Sequence, residues 1–365
     1  MFWLYAGFTG LILMLLALDL GVFNRKAHVV SVREALGWSA FWIALGLSFA
    51  VVIYYGYENH WMGLGLTPDL MGGSSRSVVG LGEVFNDGPS ATMKYLTGYI
   101  VEKSLSVDNI FVISMIFSFL AVPPIYQHRV LFWGIVGALV MRGVMIGVGA
   151  AMIAEFAWVI YVFGVFLVVT GIKMLVLKGG NDDPHSSVIV RLTRRLFPIT
   201  QRYHGQHFFV RAGSAWSLEA STPGEQPERD EVVDTAPAGK FLATPLFLAL
   251  VIVEFTDLIF AVDSIPAIFA ITADPFLVFT SNVFAILGLR SLYFALAGMI
   301  EKFRYLKVSL ALVLVLVGVK MLIHGWLKEV LGEYFNLYLL GMVLLILAAG
   351  VVASLMRSTS KPASA

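Results

Sequence analysis

The chain has 365 residues, of which 58% are hydrophobic and 13% charged, whereas an ordinary soluble domain is about 25% charged. One water-soluble core of this length cannot bury so much apolar surface, and the net charge of +1 gives no indication of a nucleic-acid partner, so we expect none. The absence of cysteine excludes disulfides, thiolate metal sites and cysteine nucleophiles.

Nine apolar stretches are each long enough to cross the hydrocarbon layer of a membrane, which takes about 20 residues. The first has no positively charged start and no small-residue cleavage site, so we interpret it as a membrane span rather than a signal peptide. The predicted fold is therefore an all-α polytopic bundle of about nine transmembrane helices, at residues 2–20, 36–56, 95–121, 129–150, 155–177, 243–271, 276–297, 304–325 and 334–356.

These helices divide the chain into six predicted parts. They are two N-terminal helices (1–56), an extracytoplasmic loop (57–94), a three-helix repeat (95–177), a cytoplasmic loop (178–242), a second three-helix repeat (243–325), and a ninth helix with a cytoplasmic tail (326–365). The 178–242 loop opens basic and then becomes rich in proline and acidic residues, so we expect a small excursion, with a short hairpin and a flexible tip. A linker role is favoured over a regulatory one by this composition.

Positive charge predicts the orientation in the membrane, because lysine and arginine accumulate in cytoplasmic loops. If the N-terminus lies outside, 17 of the 25 lysines and arginines fall in inside segments, three in outside segments and the rest within spans. The prediction is a multi-pass protein of the cell inner membrane with its N-terminus outside and its C-terminus cytoplasmic.

An internal repeat relates the two three-helix units. The matched pairs occur in the same order, at offsets of 155, 148 and 147 residues: Val107–Ile110 with Val262–Ile265, Arg142 with Arg290, and Gly171–Leu175 with Gly318–Leu322. The first unit starts outside and the second starts inside, so the repeats have inverted topology. Secondary transporters built in this way bind their substrate near the midplane, between the repeats.

Charged residues in the third and sixth spans are the candidates for chemistry, because a charge at mid-bilayer costs about 2.5–3.5 kcal/mol on insertion scales. We interpret Arg142 and Arg290 as structural counter-charges. With Lys103 they supply three positive charges, which cannot neutralise five carboxylates, and the excess indicates a bound cation. The predicted metal site consists of Glu102, Asp108, Asn109, Glu254, Asp257 and Asp263, with Glu102 as a ligand or as the proton acceptor.

An unbroken helix would point some of these carboxylates at lipid, since Glu254 and Asp263 lie on opposite sides of the sixth span. We therefore predict a locally unwound turn, with Asp108 or Asp263 as the N-cap of a half-helix and Pro266 in its first turn. Oxygen ligands of this kind suit Mg²⁺, Ca²⁺ or Mn²⁺ rather than Zn²⁺ or Cu²⁺.

Common enzymatic and ATP-binding motifs are missing from the sequence. It contains no P-loop, no HExxH and no GxSxG, so we expect neither an ATP-driven pump nor a membrane hydrolase, and the chain is not predicted to be an enzyme. No permanently bound cofactor is expected.

Four motifs resemble the signatures of the TerC/Alx family, over about residues 10 to 355: Leu18–His28, Val101–Phe111, Glu254–Ile268 and Asn282–Tyr293. The chain departs from the family pattern by an insertion near Gly213–Gly239. The family belongs to the LysE-like transporter superfamily, is named for tellurite resistance and is associated with Mn²⁺ export. The resemblance implies that the six predicted ligands are the family's acidic-motif residues.

The leading hypothesis is therefore a divalent metal exporter of the cytoplasmic membrane that is selective for Mn²⁺ and coupled to protons. The expected partners are membrane lipids and the metal ion, with a homo-oligomer or an export-machinery partner as further expectations. Three alternatives remain open: Ca²⁺ as the cargo, a membrane protein linked to tellurite resistance, and a scaffold that supplies metal to exported proteins.

Overall fold

The computed structural model describes ten stretches of the chain. They are residues 2–18, 31–69, 76–78, 82–156, 158–176, 188–221, 229–296, 305–323, 326–327 and 335–358. The Leu18–His28 motif therefore lies almost wholly outside the described residues, as do both ends of the chain. The proline-rich acidic stretch of the 178–242 loop, residues 222–237, whose tip we predicted to be flexible, lies outside the described residues at 222–228, and its remainder contains a short helix at Glu231–Thr235.

Helices account for most of the described chain. In chain order they are α1 (Phe2–Leu18), α2 (Val32–Glu58), α3 (Gly88–Phe119), α4 (Pro124–Glu155), α5 (Val159–Val176), α6 (Val188–Leu196), α7 (Glu231–Thr235), α8 (Pro245–Phe269), α9 (Pro275–Ile286), α10 (Leu289–Leu296), α11 (Leu306–Leu322) and α12 (Phe335–Ser358). The strands are short antiparallel pairs, β1 (Arg76–Val78) with β2 (Gly82–Val84) and β3 (Phe209–Arg211) with β4 (Phe241–Ala243).

The predicted all-α polytopic membrane bundle is confirmed. Among the described residues, α2, α4, α5, α8 and α12 contain stretches long and apolar enough to cross a membrane, and α9 with α10 forms a sixth span if this pair, bent by 41°, is counted as one. Helices α1 and α11 are apolar but shorter, and α3 is long but carries Lys94, Glu102, Lys103 and Asp108. Each predicted span coincides with one helix or with the bent pair, while nine crossings stay a prediction.

Helix packing follows the pattern that a pseudo-two-fold axis between the repeats produces. Helix α3 packs on α8 and α9, and α4 packs on the same two helices, so the first two helices of one repeat interlock with the first two of the other. The third helices, α5 and α11, pack along each other. An axis that exchanges the repeats maps the α3–α9 contact onto the α4–α8 contact and maps each of the other three contacts onto itself.

The repeated glycines explain how closely α5 and α11 approach. A Cβ at Gly318 would lie 2.9 Å from both the Gly164 carbonyl oxygen and the Val168 nitrogen, and one at Gly171 would lie 2.8 Å from the Ala311 carbonyl oxygen. Backbones in direct contact at small residues are a common way to associate helices in lipid, where the hydrophobic effect supplies little attraction.

The predicted unwound turn is wrong, because α3 and α8 are both continuous helices. Asp263 lies inside α8, and Pro266 is an interior residue of that helix rather than the start of a half-helix. A proline removes one hydrogen bond, and neighbouring helices in a membrane bundle can compensate for it without a break. The break occurs instead between α9 and α10, at Gly288, whose φ of +77° and close contact with Trp42 both require glycine.

A small folded unit, residues 197–221 and 229–244, lies between α6 and α8. One face of the β3–β4 hairpin packs against α7 in a core of Val210, Ala212, Val233 and Leu242. The hairpin leads directly into α8, because β4 ends at Ala243 and Thr244 is the N-cap of that helix. The unit is therefore attached to the first helix of the second repeat.

Replacing Gly318 with valine should push α5 away from α11, because the added side chain meets backbone atoms that cannot move independently. We expect destabilisation of about 1–3 kcal/mol, the usual range for overpacking, seen as a lower midpoint of thermal unfolding in detergent. Gly341→Val in α12 is the matched control, since outside its own helix backbone no atom of the described residues lies within 4 Å of a Cβ at that position. Equal unfolding midpoints for the two variants would contradict the close packing of the third helices.

Candidate functional site

Arg142 of α4 is buried at the interface of the two repeats, with 1% of its surface exposed. Its guanidinium forms an ion pair through Nη1 with Glu102 of α3. On its other side, Nη2 donates to Asp257 Oδ1 of α8 at 3.2 Å and Nε donates to Oδ2 at 3.4 Å. One arginine therefore joins the acidic helices of both repeats.

Polar side chains complete the surroundings of this arginine. Arg142 Nη1 also donates to Asn282 Oδ1 of α9 at 3.1 Å and to Ser264 Oγ of α8 at 3.3 Å. Asn109 of α3 donates from Nδ2 to Asp257 Oδ1 at 3.5 Å. The Arg142 cluster therefore draws on α3, α4, α8 and α9 and comprises Glu102, Asn109, Arg142, Asp257, Ser264 and Asn282.

Glu254 lies beside this cluster. It stands one turn before Asp257 on α8, on the same face of the helix. Its carboxylate is partly buried against Gly137 of α4, where any side chain larger than hydrogen would overlap it. Because Gly137 has no side chain, the carboxylate of Glu254 can lie close to the cluster as its third carboxylate.

The local charges do not balance among the described side chains. Arg142 pairs with Glu102 and Asp257, the charge of Glu102 also acts on the ammonium of Lys103, and Glu254 lies near Asp257 as a third carboxylate. The second carboxylate oxygen of Glu102, Oε2, is buried and has no hydrogen-bond partner in the part of the chain that the structure describes. A buried, unsatisfied anionic oxygen is costly, so this atom is a site for a cation or a proton.

Lys103 binds the break between α9 and α10. Its ammonium donates to the carbonyl oxygens of Ala285 at 2.9 Å and Leu287 at 3.1 Å, which belong to the last turn of α9 and its C-cap. The sequence predicted an unwound turn in the helix that carries Asp108 or Asp263, which is α3 or α8. The break lies instead between α9 and α10, and Lys103 donates hydrogen bonds to two of the carbonyl oxygens there. Arg290 is buried in α10, two residues after Gly288, and its role as a counter-charge stays a prediction.

The six predicted ligands do not all meet in one place. Asp263 has its partner on α5, with Oδ1 at 3.5 Å from Thr170 Oγ1 and Lys173 acting on it electrostatically, on the side of α8 away from Arg142. The side chain of Asp108 lies outside the described residues. Among the described side chains, no three histidine, aspartate or glutamate residues converge in a metal-binding arrangement. The structure thus joins Glu102, Asn109 and Asp257.

A second buried polar cluster lies at the end of the bundle where α2 ends and α3 begins, and sequence analysis missed it. Asp69 pairs with Lys94 of α3 at 2.9 Å and accepts hydrogen bonds from Thr272 Oγ1 at 2.6 Å and the Ala273 N–H at 2.7 Å. Asn86 donates from one amide nitrogen to Asp69 at 3.2 Å and to Asp274 at 3.4 Å. All of these side chains are buried.

The two carboxylates of this second cluster differ in proton affinity, although both lie in connections outside the helices. Burial favours the neutral form of Asp69, but the charge of Lys94 and the hydrogen bonds to the carboxylate hold its pKa below the ordinary value. Burial and the negative charge of Asp69 raise the pKa of Asp274 to about 6. These residues stand in segments that resemble solvated loops, so only their tertiary contacts show that they are buried together.

Comparison with known proteins agrees with this architecture. The model of the integral membrane protein TerC family matches residues 87–362. A membrane protein of Myxococcus xanthus is 45% identical over 364 residues, which cover 99% of this chain and 94% of the relative. A Salmonella typhi protein named membrane-bound redox modulator Alx is 41% identical over 321 residues, covering 88% and 85%.

A membrane protein of Rickettsia bellii is 36% identical over 350 residues, which cover 96% of both chains. No solved structure matches this chain. The family match covers most of the chain and includes every helix of the Arg142 cluster, and the relatives align over nearly their whole length. The chain therefore belongs to the TerC family of integral membrane proteins.

Proposed function

We propose that this protein exports a divalent cation, Mn²⁺, and that the Arg142 cluster with Glu254 is the transport site. The observation that carries the proposal is the buried Oε2 of Glu102, which has no hydrogen-bond partner among the described residues although it lies beside a paired arginine. Excess carboxylate at the interface of two repeats is the setting in which secondary transporters bind their ions.

The chemistry of the cluster selects the class of cargo. Its side chains offer carboxylate, carboxamide and hydroxyl oxygens, and these ligands suit hard divalent ions such as Mn²⁺, Ca²⁺ and Mg²⁺. The choice of Mn²⁺ rests on the association of the TerC family with manganese export. Ca²⁺ uses the same ligands and is the alternative cargo, so both ions belong in the same transport measurement.

Arg142 and the transported cation would compete for the same two carboxylates, Glu102 and Asp257. Without a cation, the guanidinium pairs with both Glu102 and Asp257, and its single positive charge offsets one of the two negative charges. When the ion arrives, both carboxylates turn to it, while Asn282 and Ser264 retain the arginine by the hydrogen bonds that they already make. Two protons, on Glu102 and Glu254, then replace the departing divalent ion and are released when the next ion binds, so the exchange of one cation for two protons leaves the charge of the site unchanged.

The redox role named for the Alx relatives would need a different chemistry in this chain. A thiol–disulfide couple requires cysteine, and the sequence contains none. Transport of a metal ion needs only the oxygen ligands that the cluster provides, so the observations favour transport.

Replacing Glu102 with glutamine should abolish Mn²⁺ export and leave the protein folded. Glutamine still accepts a hydrogen bond from Arg142, which keeps its pairing with Asp257, but one of the charges that hold a hard cation is lost. We expect at least about a tenfold loss of rate, equivalent to 1.4 kcal/mol, in proteoliposomes loaded with Mn²⁺ or, in parallel, Ca²⁺.

Two further variants make this test selective. Glu155→Gln removes an exposed carboxylate at the end of α4 and should transport normally. Arg142→Gln should instead lower the yield of folded protein, because it strands two carboxylates and breaking a buried pair costs about 3–5 kcal/mol. Parental transport by Glu102→Gln would remove Glu102 from the transport site.

We propose that the protein lies in the cell inner membrane. Its N-terminus is outside, and the segment between the repeats is in the cytoplasm. The chain has no cysteine, so single cysteines at Ser77 and Asp234, both exposed, can be labelled without background. A membrane-impermeant maleimide should label Ser77→Cys in intact spheroplasts and reach Asp234→Cys only after permeabilisation. The opposite pattern would contradict the proposed orientation.

A further inference from the structure

Helix α6 has three distinct faces. Val190 and Thr193 are buried on the side that packs against α8, whereas Leu192 and Leu196 are 53% and 64% exposed on a neighbouring face. The third face carries Arg191, Arg194 and Arg195, all exposed, and α6 contains no acidic residue. A helix with an uncovered apolar face and an arginine face is typical of segments that lie in the plane of a membrane interface.

Aromatic side chains connect this exposed face to the membrane span α8. Phe247, in the first turn of α8, contacts the ring of Phe209 at a centroid distance of 4.5 Å and that of Phe197 at 5.3 Å. Phe197 and Phe209 are each 40% exposed. The exposed apolar surface is therefore continuous with the end of the membrane span α8. This continuity places the surface at the membrane boundary.

The β3–β4 hairpin extends the same surface. Arg211 pairs with Phe241 across the two strands, so their side chains share one face with Phe209. Phe241 is 70% exposed, and the Arg211 guanidinium lies 6.0 Å from the centre of its ring. The opposite face, with Val210 and Leu242, is the buried one. The hairpin thus has a protein-covered side and an uncovered side that is aromatic and basic.

We propose that this surface binds anionic phospholipid in the adjacent leaflet. Arg191, Arg194 and Arg195 contact the phosphates, since a guanidinium matches a phosphate with paired hydrogen bonds. Leu192, Leu196 and Phe241 enter the boundary between headgroups and acyl chains. The charge complementarity and the continuity with α8 select lipid as the occupant of this surface over a protein partner.

Lipid bound here would act on the helices of the Arg142 cluster through the folded unit. Tyr203 donates from its hydroxyl to the carbonyl oxygen of Leu120, the C-cap of α3, at 2.8 Å. Arg129 of α4 lies 5.3 Å from the ring of Phe208, and Thr244 caps α8. The unit therefore contacts the ends of α3, α4 and α8. The lipid proposal itself does not depend on which ion these helices move.

The test uses single cysteines in the full-length protein, each labelled with an environment-sensitive fluorophore and placed in nanodiscs that contain nitroxide lipid. One cysteine replaces Leu196 on the exposed face of α6. The matched control replaces Asp234 on α7, which packs on the opposite, buried face of the hairpin. The nanodiscs contain phosphatidylcholine alone or mixed with phosphatidylglycerol, and the triple variant Arg191→Gln/Arg194→Gln/Arg195→Gln is measured in both.

We expect strong nitroxide quenching at position 196 in phosphatidylglycerol discs, weaker quenching in phosphatidylcholine, and little at position 234 in either. Each arginine near an anionic surface contributes roughly fivefold to binding, so the triple variant should lose the preference for phosphatidylglycerol while its unfolding midpoint stays unchanged. Equal quenching at 196 and 234 would overturn the proposal and indicate a protein occupant, such as a second copy of the chain. Equal quenching at position 196 in the two lipid mixtures would overturn the role of the arginines. A triple variant that still prefers phosphatidylglycerol would do the same.

Discussion

An ionised side chain buried in a membrane protein is stable only when a group of opposite charge pairs with it. In this fold Arg142 provides that pairing for the buried carboxylates. Its guanidinium bonds Glu102 of one repeat and Asp257 of the other, so neither repeat satisfies its buried charge alone. Removing the arginine would leave both carboxylates without a counter-charge, at a cost of several kcal/mol. The interlocked packing of α3, α4, α8 and α9 follows from that requirement, together with the close backbone contact of α5 and α11.

Helix α3 links the polar layers of the molecule. At one end, Lys94 pairs with Asp69 in the second buried cluster. Near its middle, Glu102 binds Arg142, and the next residue, Lys103, holds the carbonyls at the break between α9 and α10. At its other end, Leu120 accepts a hydrogen bond from Tyr203 of the folded unit between the repeats. One continuous helix therefore contributes residues to all of these layers.

Much of this architecture could be predicted from the sequence, because hydropathy and charge are local signals. Apolar stretches located the helices, and the excess of acids over bases singled out α3 and α8. The predictions that failed concerned the direction in which a side chain points and the contacts between residues far apart in the sequence. Asp263 faces Thr170 because α8 continues unbroken past Pro266. Asp69 and Asp274 meet only in the folded chain, so no sequence spacing showed that they share a buried cluster.

A crystal structure of the protein grown with Mn²⁺, with the metal located by its anomalous scattering, tests the proposed transport site most directly. The proposal predicts a manganese peak bonded to Glu102 and Asp257, with Arg142 released from both carboxylates and retained by Asn282 and Ser264. A peak at another place, with Arg142 still bonded to both carboxylates, would show that the cluster only locks the repeats together and that the cation binds elsewhere.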